Sequence, residues 1–128
     1  MTVDEAAYAD VVVLRLTGRL DQENSPALQE RLEAVIKRLN ASRSAGLAID
    51  MTSVPYMSSA GLRALMIAAK EIRAAGMKLV VVGLRPVVRE VFQISRFDKV
   101  IPIHDRLAAA LGAISGPAAA AYASQDIA

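Results

Sequence analysis

The sequence predicts an α/β domain on a mostly parallel sheet of four to five strands with about four helices. Three observations carry that expectation. Apolar, β-branched runs at Val11–Gly18, Leu47–Met51 and Lys78–Gly83 alternate with stretches of helical periodicity, the pattern of strands joined by crossover helices. The valines at 80, 81 and 82 follow one another without polar alternation, as in a strand covered on both faces. A chain of 128 residues, 54% hydrophobic and 22% charged, has the size and composition of one globular domain.

Taken in order, Thr2–Tyr8 is expected as an edge strand turning at Ala9-Asp10 into the buried strand Val11–Gly18. Asn24-Ser25-Pro26 offers a polar cap and a first-turn proline for a helix. Leu28, Leu32, Val35, Ile36 and Leu39 fall on one face of that helix, opposite charged positions such as Glu30 and Lys37. A polar loop, 40–46, leads into the strand Leu47–Met51, and Thr52–Ser59 is a loop before a second helix. Leu62, Leu65, Met66, Ala69 and Ile72 stripe that helix, and Gly76 ends it. The valine strand follows, and Pro86 opens a third helix carrying Val87, Val88, Val91 and Phe92. Val100–Ile103 is expected as a short last strand, placed at an edge because Pro102 cannot donate to a ladder. Asp105 is the expected cap of a fourth helix with Leu107, Ala110 and Leu111. The domain is thus expected over residues 1–115. The alanine-rich 116–128 is expected to be a flexible tail, with a frayed helix as the alternative.

Composition narrows the function. There is no cysteine and a single histidine, His104, so thiol chemistry, a disulfide framework and a histidine-based metal site are not expected. No cofactor is expected, because no glycine-rich phosphate loop or dinucleotide fingerprint occurs. A net charge of +2 and scattered aromatics argue against a nucleic-acid partner. No apolar run approaches the roughly 20 residues of a membrane span, and the acidic start MTVDEAAYAD lacks signal-peptide features. A cytoplasmic protein without enzymatic chemistry is the expectation.

Most of the information lies in Pro55–Arg63 (PYMSSAGLR). Ser58 and Ser59 stand at a helix start, where a hydroxyl can accept from the free N–H groups of the first turn. Gly61 in that first turn costs about 1 kcal/mol of helix propensity against alanine, which suggests a close approach by partner or backbone, or tight internal packing. Tyr56 and Met57 are bulky apolar residues beside the helix start, where a partner could dock.

With these residues in view, the chain resembles the STAS domain of bacterial anti-sigma factor antagonists over about residues 8–112. The resemblance rests on Leu16-Thr17-Gly18-Arg19-Leu20-Asp21, on Ile49–Val54, on Tyr56–Leu62 and on Val88–Asp98. It implies the STAS fold and a partner switch. The unphosphorylated protein would bind an anti-sigma factor that is also a GHKL-type serine kinase and free the sigma factor. Phosphorylation would abolish binding, and a PP2C-type phosphatase would reset the cycle. Matched along the motif, the phosphoacceptor falls on Ser59, with Ser58 as second choice. Ser58 stands where many antagonists carry aspartate, and Arg63 replaces a small glycine. The partner-binding set implied is Asp21, Asn24, Tyr56, Met57, Ser58, Ser59, Gly61, Leu62 and Arg63, on a monomer or weak dimer. For Asp21 and Asn24, a turn-and-cap role is an equal alternative. A non-switching STAS scaffold, in a signalling or lipid-transport assembly, is the alternative function. A nucleotide-binding domain using the helix N-terminus is a more distant one.

Overall fold

A computed structural model describes residues 1–127. Chain order and sheet order coincide: strands β1 (Thr2–Tyr8), β2 (Val11–Thr17), β3 (Gly46–Ser53), β4 (Lys78–Val82) and β5 (Ile103–His104) lie side by side in the order β1-β2-β3-β4-β5. β1 and β2 form an antiparallel hairpin, from Tyr8 opposite Val11 to Thr2 opposite Thr17. Every later pairing is parallel, as crossover helices dictate.

Helices α1 (Ser25–Ala41), α2 (Ser59–Ala74) and α3 (Pro86–Ile94) cover one face. Their apolar stripes, including Leu28, Leu32, Leu65, Ile72, Val88 and Phe92, pack on Leu14, Leu16, Leu47, Ile49, Leu79 and Val81. Helices α4 (Leu107–Ile114) and α5 (Gly116–Ile127) cover the other face, where Ala110, Leu111 and Ala118 meet Val11, Val13, Ala48, Val80 and Val82. The sheet is therefore apolar on both sides, and this is why the valine strand shows no alternation. On β1, Glu5 pairs with Arg31 and Arg38 of α1. The hydrogen bond from Arg38 holds the Glu5 carboxyl below the usual carboxylate range.

The structure corrects four expectations. Five helices form among the described residues, because residues 116–127 fold as α5, the helical alternative, rather than as a flexible tail. Ser115 Oγ accepts from Ala118 N (3.2 Å) and bonds Asp10 Oδ1 (2.5 Å), capping α5 and tying its start to the β1–β2 turn. Tyr122 stacks edge-on against Tyr8 with ring centroids 5.3 Å apart. The last strand is shorter than the run Val100–Ile103 suggests. A 3₁₀ turn at Phe97–Lys99 precedes it, and pairing begins only at Ile103. Asp105 does not cap α4 but bonds Arg89 Nη2 at 2.7 Å. Asn24 occupies the cap position of α1 without a side-chain cap bond.

Candidate functional site

Two loops at one end of the sheet build the junction singled out above. After β2, the segment 18–20 runs beside 53–58 and zips to it through backbone hydrogen bonds. Gly18 N donates to Ser53 O (3.0 Å), Leu20 N to Tyr56 O (2.9 Å) and Ser58 N to Leu20 O (2.8 Å). Leu20 and Met57 form an isolated parallel bridge, so the loop before α2 is an extension of the sheet pairing.

That pairing separates the two serines. Ser58 is the N-cap of α2, with extended backbone, and its Oγ accepts from Gly61 N at 3.2 Å. Ser58 is half-buried, whereas Ser59, the first helical residue, is exposed. An open groove of about 370 Å3 runs past them, lined by Gln22, Ser58, Ser59, Ala60 and Arg63. Arg63 is exposed one turn along the helix. With the positive end of the helix dipole, it makes the groove favourable to negative charge.

Asp21 and Asn24 form the turn beside this groove. The Asp21 carboxylate accepts from Glu23 N (3.0 Å) and Asn24 N (3.2 Å). Asn24 Oδ1 accepts from Asp21 N (2.9 Å), and its Nδ2 donates to Arg19 O (2.7 Å). Both side chains are thus engaged in holding the loop, as the turn alternative anticipates. Tyr56 is half-buried, with the Arg19 guanidinium 4.2 Å from its ring centroid.

Three residues of the expected partner-binding set face inward. Met57 is 3% exposed and Leu62 5%; both belong to the core on the α1–α2 face, so neither presents a surface. Gly61 is buried as well. A Cβ on it would lie 2.6 Å from Leu20 Cγ and 3.2 Å from Leu20 O, so the close approach is to the chain's own β2–α1 loop. These three residues shape the junction, and Ser59, Arg63 and the Tyr56 edge are its accessible part.

Sequence reasoning passed over Gln22 and gave Arg19 no role beyond its place in the Leu16–Asp21 run. Their signal was positional: both flank Leu20-Asp21, the segment that follows β2 at the same end of the sheet as the loop after β3. A second polar cluster nearby also went unread. Asp50, 6% exposed, accepts from Thr52 N (3.0 Å) and Thr52 Oγ1 (2.6 Å), which fixes the chain's exit from β3. No helix among the described residues is long and apolar enough to cross a membrane.

Comparison with known proteins agrees with this architecture. The model of the STAS domain family matches residues 3–110. A Bordetella bronchiseptica protein bearing the name anti-sigma factor antagonist BtrV is 32% identical over 103 residues, covering 80% of this chain and 85% of that one. The crystal structure of an anti-sigma factor antagonist from Mycobacterium paratuberculosis superposes with a TM-score of 0.78 at 26% identity, over 88% of this chain and 92% of that one. The phosphorylated form of the Bacillus cell fate determinant SpoIIAA shares the fold, with a TM-score of 0.68 at 17% identity over 89% of this chain and 100% of that one.

Proposed function

The chain belongs to the STAS domain family, and on that premise we propose that it is an anti-sigma factor antagonist switched by phosphorylation at Ser59. Relatives that carry the antagonist name support the coarse reading. The observation that carries the finer one is the division of labour between the serines. Ser58 is committed to capping α2, whereas Ser59 stands exposed on the groove.

The mechanism follows from charge. A phosphate on Ser59 adds about −1.5 to −2 charges at a helix N-terminus, where free N–H groups and the dipole tolerate it. The fold is kept and the change falls on the interface. An unmatched charge buried against a partner costs on the order of 2–5 kcal/mol, which is roughly 30- to several-thousand-fold in affinity. In this reading the unphosphorylated protein binds a GHKL-type serine kinase that is also the anti-sigma factor, and a PP2C-type phosphatase reverses the modification. Ser59, Arg63, Gln22 and Tyr56 meet the partner, and Met57, Gly61 and Leu62 hold them in place.

Affinity capture from the host with wild type, Ser59→Ala and Ser59→Glu tests this, followed by phosphorylation with the captured kinase and mapping of the site. The expected result is a kinase retained by the alanine form, lost by the glutamate form, and transferring phosphate to Ser59. Capture of one non-kinase assembly by all three forms overturns the switch and favours a scaffold.

A further inference from the structure

A second recess lies at the opposite end of the sheet, where β5 stops short. On the outer edge of β4, Val81 N donates to Pro102 O (3.0 Å) and Gly83 N to His104 O (2.8 Å). Backbone direction alternates along a strand, so the Leu79 N–H points to the same edge. Strand pairing ends at Val81–Ile103, and no described residue continues β5 opposite Leu79. The next carbonyl in line, that of Val100, accepts instead from Arg73 Nη2 at 3.1 Å. The space a longer β5 would fill is a cavity of about 420 Å3, within the roughly 300–1,000 Å3 of small-molecule sites.

Its walls are mainly apolar, with Ile72, Met77, Leu79, Val100 and Pro102 among them, and Arg73 and Lys78 also line it. Both cations are exposed and neither makes an ion pair among the described residues. A backbone donor without a strand partner, in an apolar recess flanked by two cations, is a recognition set for an anion with a hydrophobic body.

The geometry points to a binding site for a small apolar carboxylate. The carboxylate accepts from Leu79 N–H and pairs with Arg73 and Lys78, and the hydrocarbon lies along Ile72, Met77 and Pro102. The charge complementarity selects this occupant over a neutral apolar one.

Octanoate is the probe and 1-octanol its uncharged counterpart, each titrated into the full chain by calorimetry and by amide chemical-shift mapping. Octanoate is expected to bind at least about tenfold more tightly than octanol, with the Leu79 amide among the most shifted. The double variant Arg73→Gln, Lys78→Gln removes both charges along with their bonds to Val100 O and Ala113 O, and should lower octanoate to the affinity of octanol while leaving octanol binding unchanged. Failure of octanoate to bind at millimolar concentration, equal affinity for the two probes, shifts centred elsewhere, or unchanged binding by the double variant overturns the assignment.

Discussion

Gly61 packs against Leu20 so closely that a methyl group on the glycine would lie 2.6 Å from the leucine Cγ. The contact joins the first turn of α2 to the loop after β2, and the Ser58–Leu20 backbone bond lies beside it. Gly61→Ala is expected to destabilise the protein by about 1–3 kcal/mol through overpacking, although alanine gains roughly 1 kcal/mol in helix propensity. Urea unfolding measures the difference. In a Leu20→Ala background the same substitution should cost less, because the two residues share one space.

The serines should respond differently to removal of the hydroxyl. Ser58→Ala loses the bond from Gly61 N and is expected to cost about 1 kcal/mol, the usual value of a helix cap. Ser59→Ala, at an exposed position, should stay within about 0.5 kcal/mol of wild type. Thermal unfolding of the two variants side by side decides it; a larger loss at Ser59 would reverse the roles.

Acid should weaken the tie between β1 and α1. The hydrogen bond from Arg38 is the main cause that lowers the Glu5 pKa. The unfolded chain therefore binds the proton more readily than the folded one, and stability falls as pH drops through the folded-state value. Glu5→Gln should be less stable than wild type near neutral pH, with the gap closing below the ordinary carboxylate range. The pair is partly exposed, so added salt should narrow the gap as well. Unfolding curves at neutral and acid pH, with and without salt, test both directions.

The last helix should be removable by a single buried charge. Ala118 is fully buried in the apolar cluster that α4 and α5 form on the valine face of the sheet. Ala118→Asp places an unpaired carboxylate there and is expected to cost about 3 kcal/mol or more. Limited proteolysis should then cut after residue 115, while Tyr122→Ala, which loses the edge contact with Tyr8 and some partly buried packing but introduces no charge, should be cut more slowly.

The sheet, its helices and the junction at α2 were legible because each rests on local signals: valine runs, the Leu28–Leu39 stripe, Pro86, Gly76. The inward turn of Met57 was not, because its burial comes from pairing with Leu20, 37 positions away in sequence and encoded by no period. The length of β5 was misjudged for a related reason. The run Val100–Ile103 has strand composition, but Pro102 and the preceding 3₁₀ turn delay pairing until Ile103. The tail looked too poor in large side chains to order itself. Alanine sufficed because α5 packs mainly against α4 and β1, where small side chains such as the fully buried Ala118 let the elements approach closely.

The coincidence of strand order with chain order bears on how the protein is made. Each new strand emerging from the ribosome finds its neighbour already synthesised and adds to a growing edge. The exception is α5, which must return to Tyr8 of the first strand. Until α4 and α5 are both released, the face of the valine sheet that they cover stays open, and the nascent chain is most prone to misassociation at that stage.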